Sequence, residues 1–416
     1  MTNEMKRVPE LIFPEFDGEW EGIFLNKLGM FKKNYTFSRA NEGDGTLRHI
    51  HYGDIHSKFK SKIEKIELLP SISVDLEDPQ LVQNNDLIFA DASEDYNDLG
   101  KTILMKVNNG NVIAGLHTHL FSPNNNLNSE FLLYFTQTKV YRKFIKRQGV
   151  GISVLGISKK NLDKLLVSLP KYNEQKKIGE FFSKLDRQIE LEEQKLSLLE
   201  EQKKGYMQKI FSQELRFKDE NGNKYPDWTI KKLNEVFEVS KQRNTNNEYS
   251  HKDVLSVSRE HGVINQIKYH GRSYAAKTVE NYKIVKPHDL IYTKSPLKGA
   301  PYGIFKVTTE EGIISPLYAV YTSLNENITD FVSYYFEFNN ITTHYLSKLV
   351  SKGAKNTINV TDEMALTGKI LLPNSEKEVT QIVNFFNEIR ELIMKQRNKI
   401  EGLKMRKQGF LQKMFV

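Results

Sequence analysis

The chain has 416 residues, of which 39% are hydrophobic and 27% charged, with a formal net charge of +8 and a pI near 9.1. This length is too great for one ordinary core and predicts two domains. The mild basic excess permits nucleic acid as a partner without requiring it. There is no cysteine, which excludes disulfide scaffolds, thiolate metal sites and cysteine nucleophiles.

Two features of the sequence bear on location. No apolar run approaches the ~20 residues that a membrane-spanning helix needs. The N-terminal stretch MTNEMKRVPELIFPEF lacks the apolar core of a signal peptide. With the absence of cysteine, these features predict a cytoplasmic location and no membrane partner.

The first globular domain is predicted at residues 1–169 and mixes strands with helices. Short β-branched or aromatic runs, such as those at 86–90 (DLIFA) and 102–107 (TILMKV), are typical of strands. A helical pattern follows at 129–148. The combination indicates an α/β or α+β domain.

A long helix is predicted next, over residues 170–212. No proline occurs between Glu174 and Phe211, and apolar residues recur in a 4-3 rhythm over about five heptads. This narrow stripe predicts a coiled-coil seam, although a solvated ordinary helix would also be compatible with it. The predicted seam residues are Ile178, Phe182, Leu185, Ile189, Leu196 and Leu199.

The same order of elements recurs in the second half. A globular domain is predicted at residues 213–372, with strand patterns at 289–293 and 302–307 and a late helical pattern at 328–350. A second long helix is predicted at 373–416. Its seam residues are Ile382, Phe386, Ile389, Ile393, Ile400 and Leu403.

The chain therefore consists of two tandem copies of one unit. The stretches KKGYMQKIF (203–211) and MRKQGFLQKMF (405–415) lie at an offset of 204 residues, which also aligns the polar interruptions of the two seams. Those interruptions are the pairs Glu192/Gln396 and Lys203/Lys407. We expect the two helices, each ~57 Å long, to pair antiparallel, with the domains at opposite ends of a rod and related by a pseudo-two-fold.

Residues 32–81 of the first half and 240–286 of the second half cannot be aligned with each other. Both segments are rich in basic and hydrogen-bonding residues. Such side chains contact phosphates and base edges, although any one of them can also be an ordinary surface charge. Two glycine-containing loops with basic neighbours, at 146–151 and 351–356, can approach a phosphate or simply end a helix. The candidate DNA contacts are Arg48, His49, His51, Tyr52, Lys58, Lys60, Arg147, Lys241, Arg243, Asn244, Arg259, Arg272, Lys294, Lys298, Lys352, Lys355 and Asn356.

No catalytic motif stands out. Gly151 and Gly156 have P-loop spacing, but Ile157-Ser158 follows in place of Lys-Ser/Thr, and no GxGxxG occurs. His49 and His51 lack the further ligands of a metal site. The sequence predicts no catalytic residue, no metal and no cofactor in this chain.

Several motifs together resemble those of the specificity subunit of type I restriction-modification enzymes. They are VPELIFPEFDGEW (8–20), its echo LRFKDENGNKYPDW (215–228), the helix entry LP-x-x-x-EQ-x-x-I (169–178) and the two duplicated helix ends. The second helix entry, LPNSEKEVTQI, departs from the pattern by one extra residue. The resemblance covers the whole chain.

The resemblance implies a fold and a role. Two target recognition domains would each read half of a split, asymmetric site in double-stranded DNA, and the antiparallel helices would space them, with ~57 Å corresponding to at most roughly 17 base pairs. Two methyltransferase subunits and restriction/translocase subunits would be partners and would carry S-adenosylmethionine, ATP and Mg. This chain would not be an enzyme. Two alternatives are a stand-alone DNA-modifying enzyme and a coiled-coil adaptor without DNA recognition.

Overall fold

A computed structural model describes residues 8–108, 110–323, 325–352 and 358–416. The chain divides into two compact units. Unit 1 comprises Met1–Lys195 and Gln396–Val416, and unit 2 comprises Leu196–Lys395. The division cuts each long helix, so that each unit contains one globular part and segments of both long helices.

Unit 1 mixes short strands and helices. Its strands are β1 (Glu21–Phe24), β2 (Gly29–Phe31), β3 (Glu42–Ile50), β4 (Lys62–Ile63), β5 (Ser71–Ile72), β6 (Leu87–Ala90), β7 (Ala92–Ser93), β8 (Thr102–Met105), β9 (Val112–Ala114), β10 (Thr118–Pro123), β11 (Leu155–Gly156) and β12 (Leu166–Leu169). Its helices are α1 (Leu25–Leu28), α2 (Tyr52–Ser57), α3 (Ser129–Phe135), α4 (Lys139–Gln148), α5 (Lys159–Leu162) and the first part of α6 (Tyr172–Phe211).

The core of unit 1 lies around a five-stranded sheet of order β2-β10-β6-β8-β4. The central strands β6 and β8 are buried along their whole length, which fits their continuous apolar sequences. A three-stranded sheet, β5-β3-β9, lies beside it, and β3 pairs parallel with β9. Strands β1 and β12 pair antiparallel immediately before α6 begins.

Unit 2 contains the equivalent elements. Its strands are β13 (Thr229–Lys232), β14 (Phe237–Val239), β15 (Val254–Ser258), β16 (Gly262–Asn265), β17 (Lys283–Val285), β18 (Leu290–Thr293), β19 (Phe305–Val307), β20 (Gly312–Ile314), β21 (Tyr318–Ser323), β22 (Ser351–Lys352), β23 (Ile358–Asn359) and β24 (Lys369–Leu372). Its helices are the end of α6, α7 (Gln266–His270), α8 (Glu326–Tyr335), α9 (Asn339–Ser347) and the first part of α10 (Glu376–Lys413).

The sheets of unit 2 repeat those of unit 1. The order β14-β21-β18-β19 matches β2-β10-β6-β8, and the parallel pair β15–β20 matches β3–β9. β15 and β3 both lie in the segments that could not be aligned by sequence. The predicted mixture of helices and strands with long helices, built from a repeated unit, is confirmed, and the repeat extends further than the sequence indicated.

A tryptophan marks the start of each long helix. The indole Nε1 of Trp20 donates to the carboxylate of Glu174 at 3.2 Å, and that of Trp228 donates to Glu378 at 3.1 Å. Helix α6 begins at Tyr172 and α10 at Glu376, which is again an offset of 204 residues. The extra residue that follows Pro373, compared with Pro170, is therefore accommodated before α10. The two helices begin at equivalent positions.

Within unit 1 the long helices run antiparallel. Phe181 contacts Phe410 with ring centroids 5.1 Å apart, and one turn later Asp186 pairs with the earlier residue Lys407 at 2.6 Å. None of the predicted seam residues is exposed. Ile178, Phe182, Ile189, Ile382, Phe386, Ile393, Ile400 and Leu403 are buried, and Leu185, Leu196, Leu199 and Ile389 are half-buried.

The first pair of polar seam residues, Glu192 and Gln396, form hydrogen bonds with each other. The amide Nε2 of Gln396 donates to the carboxylate of Glu192 at 2.7 Å and to its main-chain carbonyl at 2.9 Å. Lys399 adds an ion pair to the same carboxylate at 2.5 Å. Because each group finds its partner only in one register, this cluster favours that alignment of the helices.

The second pair of polar seam residues ties each helix to a globular part. In unit 1, Lys407 Nζ donates to Gln137 at 2.9 Å, and in unit 2, Lys203 Nζ donates to Glu337 at 2.7 Å. Each ammonium also lies over a tyrosine ring, at 5.3 and 5.6 Å respectively. The rings are those of Tyr134 and Tyr334. The seam lysines thus make the same contact in both units.

Candidate nucleic-acid interface

Unit 2 displays an exposed array of rings and cations on and beside α7. The side chain of Asn265 accepts hydrogen bonds from the first turn of this short helix, and Gly271 ends it at φ 74°. The rings of neighbouring members lie 4.8–5.4 Å apart from centroid to centroid, and one guanidinium lies 4.7 Å above a ring. The α7 array consists of His261, Tyr269, His270, Arg272 and Tyr274.

The chemistry of the α7 array suits nucleic acid. Tyr269 and Tyr274 are 49% and 57% exposed, so their faces are available to a ligand. Exposed aromatic rings stack on bases, and guanidinium and imidazole groups contact phosphates and base edges. The array therefore combines an aromatic surface with positive charge.

Two further predicted contacts of unit 2, Arg259 and Lys298, are bonded to each other. The Arg259 guanidinium donates to the main-chain carbonyl of Lys298. The next residue, Gly299, has φ 77°, and a Cβ there would lie 2.8 Å from Arg259 Nη1. Arg259 therefore positions the loop that presents the exposed Lys298.

Unit 1 carries a different cluster of rings, centred on Tyr52. The Tyr52 ring lies 4.6 Å from His51, 5.5 Å from His56 and 5.2 Å from His117, measured between centroids. The His117 side chain is 48% exposed and its Nδ1 lies 3.1 Å from the Asp91 carboxylate. We call these four rings the Tyr52 cluster.

The histidines of the Tyr52 cluster are held in different ways. His51 Nδ1 accepts from the main-chain N–H of Gly53 at 3.1 Å and so caps α2. Burial, aided by the charge of Arg39, lowers the pKa of His51, which keeps the ring a neutral acceptor. His56 Nε2 lies 2.9 Å from the carbonyl of Ala92. The cluster is thus anchored to both α2 and β7.

One pair of charged residues has its acid and base inverted between equivalent positions of the two globular parts. In unit 2, Lys294 binds Asp362 at 2.6 Å. At the equivalent positions of unit 1, 203 residues earlier, the acid is Asp91 and the base is Lys159, and each acts on the other electrostatically. The common framework therefore carries opposite charges at these two pairs of equivalent positions.

Two predicted contact residues serve the fold instead. His49 is fully buried, with Nε2 3.3 Å from the Glu42 carboxylate. Asn244 is 1% exposed, and its amide donates to the carbonyls of Tyr249 and Val279. Neither side chain faces solvent, so we remove both from the candidate interface.

The remaining predicted residues fall into three groups. Arg147, Lys241 and Arg272 are exposed. Others are bonded within the fold: Arg48 to the carbonyl of Leu69, Lys58 to that of Leu68, Lys60 to Glu193, Arg243 to the carbonyl of Asn281 and Lys294 to Asp362. Lys352 lies in β22, whereas Lys355 and Asn356 fall outside the described residues.

The sequence did not point to Tyr269, Tyr274 and His117, which the structure adds to the candidate interfaces. The two tyrosines flank the predicted Arg272 in sequence, and this proximity was an available signal. No local signal pointed to His117, because a long-range contact brings it to Tyr52. In the described part of the chain, no group of three or more His, Asp or Glu could hold a metal ion. The described helices include none that is long and apolar enough to cross a membrane.

Comparison with known proteins gives matches at the level of sequence. Residues 18–201 match the family Type I restriction modification DNA specificity domain. The MjaVIII specificity subunit of Methanocaldococcus jannaschii is 30% identical over 113 residues, which are 26% of this chain and 27% of that protein. The putative MjaX specificity subunit of the same organism is 24% identical over 348 residues, covering 77% of this chain and 75% of that protein.

Solved structures match the fold over nearly the whole chain. The type I restriction-modification S subunit from M. genitalium has a TM-score of 0.59 at 12% identity and covers 98% of this chain and 99% of its own. A chain from a study of complex assembly and conformational transition of the type I R-M system has a TM-score of 0.51 at 16% identity, covering 95% and 97%. This chain is therefore similar to type I restriction-modification specificity subunits, in sequence over the matched domain at residues 18–201 and in fold over nearly its whole length.

Proposed function

We propose that this chain recognises a bipartite, asymmetric site in double-stranded DNA, with one half read by each globular part. The recognition domains would be residues 1–169 and 213–372, joined by helices at 170–212 and 373–416. The observation that carries the proposal is one framework bearing two different surfaces, the α7 array and the Tyr52 cluster. A repeated fold with unlike exposed groups suits two unlike half-sites.

We propose further that the duplicated helix ends are docking surfaces for two methyltransferase subunits. Most apolar residues of these ends are buried in the core of their own unit and so are explained by packing: Met207, Ile210 and Phe211 in the first copy, and Leu411, Met414 and Phe415 in the second. The pairs Gln208/Gln412 and Lys209/Lys413, however, are identical and exposed. Packing does not require that identity, whereas binding the same partner twice would.

In this proposal the chain contributes recognition and assembly, and the chemistry belongs to its partners. The methyltransferase subunits would bind S-adenosylmethionine, and the restriction/translocase subunits would use ATP and Mg. Purified chain mixed with DNA and S-adenosylmethionine should therefore transfer no methyl group. Methylation by the chain alone would favour the alternative of a stand-alone enzyme.

The test is the methylated motif in cells that express this chain with its partner subunits. Replacing residues 30–160 by those of a relative should change one half of the motif and leave the other. A four-residue insertion near Lys195 should change only the number of unspecified base pairs between the halves. If the domain replacement altered both halves, the two globular parts would not be independent readers.

Binding measurements complete the test. A DNA-recognition subunit should bind duplex DNA with an affinity that falls steeply with salt, because it displaces counterions from phosphates. A coiled-coil adaptor that does not recognise DNA would show no such dependence in the assembled complex. Absence of salt-dependent binding would reject the proposal as a whole.

A further inference from the structure

One loop of unit 1 exposes apolar side chains that the fold does not use. Between α4 and β11, Val150, Ile152 and Val154 are 66%, 99% and 61% exposed. A single exposed apolar residue is ordinary, but three around one loop tip form a patch that needs a partner. We call residues 149–156 the apolar loop.

The apolar loop is held in a defined shape. Val150 and Gly156 exchange two main-chain hydrogen bonds, at 2.9 and 2.7 Å, which close the loop. Gly151 has φ 130°, and a Cβ there would lie 2.1 Å from the Val154 carbonyl oxygen, so only glycine fits this backbone. The tip therefore holds Ile152 away from the core of unit 1.

Positive charge lies directly before the apolar loop. Helix α4 ends at Gln148, and its exposed residues Lys143, Lys146 and Arg147 lead into Gly149. Carboxylates also occur after β7, the strand that pairs with β11 at the end of the loop. One of these, Asp95, is bonded to two main-chain N–H groups of its own turn, at 2.7 and 3.0 Å.

The apolar loop is also connected to the Tyr52 cluster. Strand β11, at the end of the loop, pairs with β7, where Gly156 lies opposite Ala92. The carbonyl of Ala92 in turn bonds His56 of that cluster. The loop thus emerges between a basic helix end and the candidate interface of unit 1.

From this arrangement we propose that Ile152 is an apolar wedge that enters a groove of the DNA duplex at the half-site read by unit 1. The proposal rests on the function proposed above. Cations at the end of α4 would contact phosphates, while the rigid tip would place the Ile152 side chain against bases and open or bend the duplex locally. Apolar side chains inserted at base steps distort DNA in this way. The adjacent positive charge favours a polyanion over an apolar protein surface as the occupant.

The experiment uses the full chain assembled with its methyltransferase subunits. The DNA is a duplex that carries the motif identified by methylome sequencing, with 2-aminopurine at successive positions of both half-sites. The compared proteins are wild type, Ile152→Ser, Ile152→Leu and the control Met394→Ser, which changes a 57% exposed apolar residue of α10 outside the duplicated helix ends. Circular dichroism melting shows that each variant is folded.

We expect Ile152→Ser to weaken binding to the motif about tenfold, as loss of one buried apolar side chain predicts. The slope of log Kd against log salt should not change, because no charge is removed. The 2-aminopurine signal of wild type should disappear in one half-site. Ile152→Leu should keep both affinity and signal, and Met394→Ser should match wild type.

Other outcomes overturn the inference. Unchanged affinity and unchanged 2-aminopurine fluorescence in Ile152→Ser would exclude a wedge. Normal DNA binding with loss of the methyltransferase subunits on co-purification would make the loop a protein-docking surface. If the wild-type complex itself shows no salt-dependent DNA binding, the proposed function fails, and that result is distinct from failure of the wedge alone.

Discussion

Removal of the Arg216 side chain should destabilise unit 2 strongly. The guanidinium makes three contacts of 2.9–3.1 Å to the carboxylate of Glu378, whose side chain is 0% exposed. The only other hydrogen bond to that carboxylate among the described residues comes from the Trp228 indole at 3.1 Å. Arg216→Ala would leave a buried negative charge without a cation.

The magnitude follows from burial. Breaking a buried ion pair by removing one partner typically costs 3–5 kcal/mol, because the remaining charge is uncompensated. Arg216 is 18% exposed, so water offsets part of that loss and we expect about 3 kcal/mol. In the double variant Arg216→Ala/Glu378→Gln the buried charge is gone. That protein should be about 1 kcal/mol more stable than Arg216→Ala alone.

Urea unfolding followed by tryptophan fluorescence can measure this effect in one unit. The chain has two tryptophans, Trp20 in unit 1 and Trp228 in unit 2, so a Trp20→Phe background reports on unit 2 alone. Lys395→Ala is the matched control. Its ion pair with Glu391 is exposed on both sides and should contribute less than about 0.5 kcal/mol.

Two results would refute this reasoning. A loss below about 1 kcal/mol in Arg216→Ala would place the pair with ordinary surface ion pairs. A double variant no more stable than Arg216→Ala would show that the uncompensated charge of Glu378 is not the cause. Either result would leave the Trp228 contact as the main restraint on the start of α10.

Three further predictions concern charge. Burial alone would raise the pKa of Asp362, but hydrogen bonds from Lys283 and Lys294 outweigh the effect of burial and leave the pKa below its usual value. The ionised Asp362 therefore contributes stability above about pH 4, and this contribution is lost as the pH falls through the lowered pKa. Asp362→Asn should therefore remove that portion of the acid-unfolding curve measured by circular dichroism. Arg272→Gln should weaken binding to specific and non-specific duplexes alike and reduce the salt slope by about one, as measured by fluorescence anisotropy; an unchanged slope would remove this residue from the interface. Lys407→Met should destabilise unit 1 by about 1 kcal/mol in urea titrations, because its partner carboxylate on α6 is partly exposed.

Most apolar residues of the duplicated helix ends pack into a core. Met207 and Ile210 in the first copy, and Leu411 and Met414 in the second, are buried in the core of their own unit. Packing alone would therefore preserve the apolar part of the motif. The exposed residues between them are the part that a docking partner would preserve.

The sequence by itself determined the repeat, the two long helices and the position of the seam. These features depend on local periodicity, which a long helix without proline follows over many turns. The sequence showed Trp20 and Glu174 only as residues that recur as Trp228 and Glu378, without showing that they contact each other. The extra residue after Pro373 displaced the start of α10 by one position in the alignment. Matching residues indicated equivalence without saying what they touched.

The tertiary structure decided which polar residues are available to a ligand. Arg272 and Asn244 are both hydrogen-bonding residues in unalignable segments, yet one is exposed beside Tyr274 and the other is buried with its amide bonded to main-chain carbonyls. Composition cannot separate them, because burial depends on contacts between residues far apart in sequence. The same reason hid the shared β3–β9 and β15–β20 pairings, since parallel pairing constrains backbone position and leaves the side-chain identities free to differ.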